Sequence, residues 1–279
     1  MMSKRPFSPL IFTDLDGTLL DHNSYSAAPA DRLIKQICDQ SLGHVIPITS
    51  KTHAELRLLN QVIPIDESIG VTENGSVIHM SDESPIRRDA EQSRQMMGIE
   101  YGEILDRIRG LPPALRVHIN GFVDMSADQV SEFTRLPIDN ARLAKQREAT
   151  EPFLWSGTDQ EMEELKAIMS DYGIQIQRGG RFYHFTGHAT KEQAMAWTKG
   201  AFSDRNPDIE YITIALGDGP NDLAMIEAAD FGVIMPNPDG VTIESIQPNV
   251  RMAAAVGPQG WVLAVREIFS ELGLILPES

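Results

Sequence analysis

The chain has 279 residues, 42% of them hydrophobic, and a formal net charge of −16. That length and apolar content suit a core plus an insert, and a surface so acidic repels the nucleic-acid backbone. No run approaches the roughly 20 apolar residues of a membrane span, and the start, Met1-Met2-Ser3-Lys4-Arg5-Pro6, lacks the apolar stretch of a signal peptide. The single cysteine, Cys38, has no partner for an internal disulfide, and the seven histidines include no short-spaced pair typical of a zinc site. A cytoplasmic protein without nucleic-acid or membrane partners and without structural zinc is expected.

In chain order, Leu10-Ile11-Phe12 reads as a strand that ends in Asp14-Leu15-Asp16-Gly17-Thr18. A strand followed by a tight glycine turn carries two carboxylates to the carboxyl edge of a sheet, where open α/β sheets bind ligands. One such carboxylate can attack phosphorus and form an aspartyl phosphate, and the other can shuttle a proton. The pair also fits a plain turn with solvated acids. A helix is expected from about Pro29 to Gln40, with Cys38 buried on it. Val45-Ile46-Pro47-Ile48 reads as a strand, and Pro47 predicts a local irregularity because it removes a ladder donor. It runs into Thr49-Ser50-Lys51-Thr52, whose hydroxyls, N–H groups and cation suit a phosphoryl oxygen. Thr49 reads equally as an ordinary strand-end hydroxyl. A helix over about Ala54 to Gln61 follows. Then come strands at Ser68–Thr72 and Ser76–Ile78 around Asn74-Gly75, a hairpin-turn signal.

From roughly Met80 to Gly187 the character changes. Ser81–Pro85 and Thr186–Thr190 read as linkers. Between them, helices are expected over Tyr101–Arg109, Ser126–Thr134, Asp139–Gln146 and Gln160–Tyr172. Strands are expected over Phe153–Trp155, Ile174–Gln177 and Phe182–Phe185. Arg87 and Arg88 read as surface charges. Arg178 and Arg181 flank Gly179-Gly180, either as exposed arginines beside a hairpin turn or as planar forks that read a carboxylate or phosphate. His184 alternates with Phe182 on the same stretch. Lys191 opens a further helix, as a solvated lysine or as the charge that relieves neighbouring carboxylates. Tyr211–Leu216 reads as a buried strand that breaks into Gly217-Asp218-Gly219-Pro220-Asn221-Asp222, then a helix. A helix cap accounts for Asp222 but not for Asp218. Asp14 and Asp218 at neighbouring strand ends, plus a backbone carbonyl, would supply the hard oxygens magnesium prefers.

These four segments in this order resemble the haloacid dehalogenase superfamily of phosphohydrolases. The resemblance implies a doubly wound, mainly parallel α/β core over residues 1–84 plus 188–279, with an inserted α/β cap over 85–187. It implies Asp14 as nucleophile, Asp16 as general acid/base, Thr49 as phosphoryl binder and Lys191 as the steadying cation. A Mg2+ ion would be held by Asp14, the backbone carbonyl of Asp16 and Asp218, with Asp222 assisting. Ser50 and Lys51 would face the substrate, and Asn74 would order a loop beside it. A cap closing over the cleft would exclude bulk water. FTDLDGTLLDHNSYS, the TSKT variant, Arg178–His184 and Gly257-Pro258-Gln259-Gly260-Trp261 are similar, more narrowly, to the mannosyl-3-phosphoglycerate phosphatase family. Those enzymes leave a glycosylglycerate, a compatible solute. That likeness implies Arg178, Arg181 and His184 as cap-side readers of a small phosphate ester, on a monomer or homodimer. The same residues also suit a broad sugar-phosphate phosphatase, a phosphomutase of the same fold, or a non-catalytic phosphoglycerate-binding module. For an anionic substrate, the metal, Lys51, Lys191 and arginines must invert the field locally.

Overall fold

The computed structural model describes residues 5–22, 24–61, 63–65, 68–87, 92–179, 181–237 and 243–276. The chain start, Arg88 and Gly180, each of which carried an expectation above, lie outside them. The first stretch runs β1 (Phe7–Thr13), α1 (Ala30–Asp39), β2 (His44–Pro47), α2 (His53–Leu59), β3 (Ile69–Thr72), β4 (Val77–Met80) and β5 (Arg94–Met96). Next come α3 (Tyr101–Arg109), α4 (Pro113–Arg116), β6 (Ile119–Gly121), α5 (Ala127–Thr134), α6 (Ile138–Ala144), β7 (Thr150–Trp155), α7 (Asp159–Ser170), β8 (Gln175–Gly179) and β9 (Phe182–Thr186). The last are α8 (Lys191–Arg205), β10 (Glu210–Gly217), α9 (Leu223–Ala228), β11 (Phe231–Ile234), β12 (Val250–Met252) and α10 (Gly257–Glu271).

Five parallel strands in the order β12-β11-β10-β1-β2 form the core sheet. Both faces are covered, which is why its strands read as continuous apolar runs. Alternation still sorts the side chains. Ile11, Val45, Ile214 and Val233 pack under α1 and α10, whereas Leu10, Phe12, Ile46 and Ala215 pack under α8, α9 and β3–β4. The chain leaves β1 toward β2 on one side, and β10 leads to β11 and β12 on the other. The carboxyl ends of β1 and β10 therefore flank a topological switch point, the place where such sheets bind ligands. Pro47 sits in β2 opposite Thr13, at the end of the five-strand order, where a missing donor is tolerated. A single bridge from Ile48 to Val71 carries the layer on to β3.

An antiparallel sheet in the order β6-β7-β9-β8 forms the cap layer. One face packs Phe153, Phe185 and Tyr183 against α3 and α7. The other packs Leu154 and Phe182 against α5 and α6. β5 was not anticipated. It pairs with β4 in the small β3-β4-β5 sheet and lies beyond the Ser81–Pro85 linker. Arg87 is not a free surface charge, since its side chain is largely covered and ion-paired with Asp82. Cys38 is half-buried against the core rather than buried.

The Asn74-Gly75 hairpin is longer than a two-residue turn. Thr72 pairs with Val77, and Glu73, Asn74 and Gly75 all take positive φ, at 50°, 58° and 94°. A Cβ on Gly75 would lie 2.3 Å from the Thr190 carbonyl oxygen, so the turn presses onto the start of α8. Glu73 is 1% exposed. Its carboxylate accepts from the N–H of Glu148 (2.7 Å), the N–H of Ala149 (3.1 Å) and the Thr150 hydroxyl (2.6 Å), all from the cap. Trp261, fully buried in α10, donates from Nε1 to Thr13 Oγ1 at 3.1 Å. Thr13 in turn donates to the Asp14 carbonyl at 2.8 Å.

Glu73→Ala would orphan three cap donors at once. It is expected to lower the unfolding free energy by about 3 kcal/mol in urea titrations and to raise proteolysis in the cap.

Candidate active site

Asp14 follows β1, its N–H bonded to the Leu216 carbonyl of β10 at 2.9 Å. Lys191 Nζ reaches Asp14 Oδ1 and Asp222 Oδ1, each at 2.6 Å. Lys191 is 1% exposed and begins α8, where the helix dipole disfavours a cation. Two carboxylates overcome that local penalty. Departures from local rules of this kind concentrate at functional sites. The other Asp222 oxygen accepts the N–H groups of Asp218 (3.2 Å) and Gly219 (2.9 Å), so Asp222 folds the loop that carries Asp218. Asp218 itself accepts from Asn237 Nδ2 at 2.8 Å and Thr18 Oγ1 at 3.4 Å. Gly17 has φ 78°, and a Cβ there would lie 2.7 Å from Asp218 Oδ2. A glycine is required at that point.

Burial pushes the Asp14 carboxyl up to about 7 against the pull of Lys191, with Asp222 and Asp16 adding repulsion. Burial and Asp222 likewise raise Asp218. Burial disfavours the charge on Lys191, but Asp14 and Asp222 more than reverse this and hold it above its ordinary value. The site thus gathers more negative charge than its own lysine neutralises. Oxygen atoms of Asp14, Asp218 and Asp222 lie within 4.8 Å of one another. Asp16 Oδ1 is buried with no hydrogen-bond partner. An excess of hard oxygen donors, one of them orphaned, fits a magnesium-sized cation.

Thr49 is buried. Its hydroxyl accepts the Lys51 N–H at 3.2 Å, and its carbonyl accepts the Asn74 N–H at 2.9 Å. Lys51 Nζ pairs with Asp16 Oδ2 at 2.8 Å rather than standing clear for a substrate. Burial works against the Lys51 charge, but Asp16 and Glu55 outweigh it and raise its pKa. Ser50 is exposed. Asn74 Oδ1 accepts from Asn221 Nδ2 at 3.2 Å, joining the β3–β4 turn to the Asp218 loop.

The three cap residues do not come together. Arg178 stands opposite Tyr183 in the β8–β9 ladder, with its guanidinium 5.6 Å from that ring. His184 stands opposite Gln177, on the other face. Arg178 therefore belongs to the face covered by α3 and α7. Arg181 donates to the Phe133 carbonyl of α5. Only His184 shares a face with Thr150, the residue that bonds core Glu73. Burial, with Arg147 adding, lowers His184 to about 4, so it is neutral.

Arg147, which the sequence did not single out, reaches from the cap to the core beside the Thr49 loop. Its side chain is 8% exposed, its Nη1 donates to the Ser50 carbonyl at 3.1 Å and it lies 4.0 Å from Glu73. Its Nε is buried without a partner.

A family model described as haloacid dehalogenase-like hydrolase matches residues 11–244. The chain belongs to this family. It is 33% identical over 270 residues to the glucosyl-3-phosphoglycerate/mannosyl-3-phosphoglycerate phosphatase of Persephonella marina, covering 94% of this chain and 98% of that one. Identity to the enzyme of the same name from Methanococcoides burtonii is 34% over 275 residues, covering 94% and 97%. A solved haloacid dehalogenase-like hydrolase from Bacteroides thetaiotaomicron superposes with a TM-score of 0.65 at 15% identity, covering 95% of this chain and 99% of that one. It shares the fold.

Lys191→Met would leave two buried carboxylates without their cation. A carboxyl whose folded-state pKa is raised loses stability as pH rises through that value, and removing Lys191 raises Asp14 further. The variant is therefore expected to be destabilised by about 3–5 kcal/mol at pH 8 and by less at pH 5. Calorimetric melting at the two pH values measures this.

Proposed function

We propose that the chain is a magnesium-dependent phosphomonoesterase that hydrolyses a glycosyl-3-phosphoglycerate, glucosyl or mannosyl, to the glycosylglycerate and phosphate. The observation that carries the reading is the buried Asp14 carboxylate at the end of β1, held by Lys191 and followed two residues later by an Asp16 oxygen without a partner. The substrate class rests on the two relatives, which match nearly end to end.

Asp14 Oδ attacks phosphorus in line, and the bond from phosphorus to the glyceryl oxygen breaks. Asp16 gives its proton to that oxygen. Water then attacks the aspartyl phosphate, Asp16 takes the water proton, and Asp14 is released with inorganic phosphate. A bound Mg2+, held by Asp14, Asp218 and the Asp16 carbonyl with Asp222 behind them, would supply charge neutralisation at the phosphoryl oxygens. Lys191 pulls against the burial that favours the neutral acid, and so promotes the ionised Asp14 that attacks. Thr49 and the loop behind it orient the phosphoryl group. Lys51 holds Asp16 until the anionic substrate competes for the ammonium, which frees Asp16 to carry a proton. On the cap side, Arg147 and His184 would read the glyceryl carboxylate.

Phosphate release from mannosyl- and glucosyl-3-phosphoglycerate, simple sugar phosphates and an aryl phosphate tests this. Selective turnover of the two glycosyl-phosphoglycerates is expected, stopped by EDTA and abolished in Asp14→Asn with the fold intact. Even turnover across the panel would remove the substrate assignment. Activity retained in Asp14→Asn would remove the nucleophile.

A further inference from the structure

Away from the active site, His53 opens α2 and His79 lies in β4. Their imidazoles stack with centroids 3.8 Å apart and 17° between planes. His79 Nε2 lies 3.1 Å from Thr72 Oγ1 and 3.4 Å from Glu148 Oε1. Glu148 approaches from the cap, between α6 and β7, its N–H already fixed by Glu73. These side chains line a cavity of about 480 Å³ that also meets Arg57 and Arg94. One ligand-type atom from each of His53, His79 and Glu148 lies within 4.8 Å of the others.

The chemistry of the donors decides what this cavity takes. Burial, reinforced by His53 and Arg94, drives His79 down to about 3, and burial with Arg57 lowers His53. Both rings are neutral at physiological pH and keep a lone pair for a ligand. Arg94 engages Glu148 Oε2 at 2.8 Å and is also paired with Glu100, which leaves Oε1 turned to the imidazoles. Two imidazoles and one carboxylate are the donor set of an open, zinc-type site with water in the fourth position. Magnesium, which selects oxygen, is mismatched. The sequence carries no sign of this because the histidines lie on different elements and the third ligand is in the insert.

We propose that His53, His79 and Glu148 form a second metal site, separate from the acidic one, that takes a zinc-type divalent ion and ties the cap to the core. An ion bonded at about 2.0–2.1 Å sets neighbouring ligand atoms about 3.3 Å apart, so binding draws the three groups together and turns His53 out of its stack.

The test is a Co2+ titration of the full chain in excess Mg2+, which fills the oxygen site. One equivalent should give the intense visible absorption of four-coordinate, nitrogen-ligated cobalt, erased by Zn2+, and Zn2+ should raise the melting temperature. His53→Ala should abolish the band and weaken Zn2+ binding at least about tenfold, while Mg2+-dependent phosphate release persists. Glu148→Gln should do the same, and serves if His53→Ala does not fold. No band in the wild-type chain, or a band that survives both substitutions, overturns the proposal. A band lost in Asp218→Asn but kept in His53→Ala assigns the ion to the active-site acids and also overturns it.

Discussion

Everything at the active site hangs on one buried ammonium. Lys191 sits where three separately encoded pieces converge: the end of β1, the loop after β10 and the first residue of α8. Taking a lysine and two carboxylates out of water costs several kcal/mol per ion, and only close, well-aligned pairing offsets that. The pairs at 2.6 Å do so. They also leave a carboxylate surplus, because Asp218 adds a third acid with no lysine of its own. A packed core would be served as well by apolar residues at these positions. Buried charges at these positions therefore have their reason in the site rather than in the packing.

The same logic of buried charge joins cap to core. Glu73 has no hydrophobic reason to be inside, yet three cap donors converge on it. Arg147 crosses the other way, from the cap to the Ser50 carbonyl. A chain with a net charge of −16 thereby concentrates Lys51, Lys191 and Arg147 where an anion has to be received.

The acids and the lysine that meet in the candidate site were legible because local signals coincide there. Apolar runs end in glycine turns with acids, and strand ends at a switch point are where such residues belong. The helices at Tyr101–Arg109 and Asp159–Ser170 were legible from their apolar spacing. What escaped depends on partners far away in sequence. Glu73 and Arg147 look like surface charges until the residues that bury them are known. Arg178 was misplaced because its face follows from the register with Tyr183, and a one-residue shift reverses a side chain. β5 and β12, at three residues each, are too short to announce a period.

Trp261 gives the last helix a role that no site residue on it would suggest. Its indole holds Thr13, and Thr13 holds the carbonyl of Asp14. The matched family segment ends at residue 244, before α10 begins. A catalytic unit cut to that segment would keep all the acids, the lysine and the cap. It would lose the wall that covers Ile11 and Leu216 and the hydrogen-bond relay behind Asp14. The smallest working piece of this protein is therefore longer than its recognisable one.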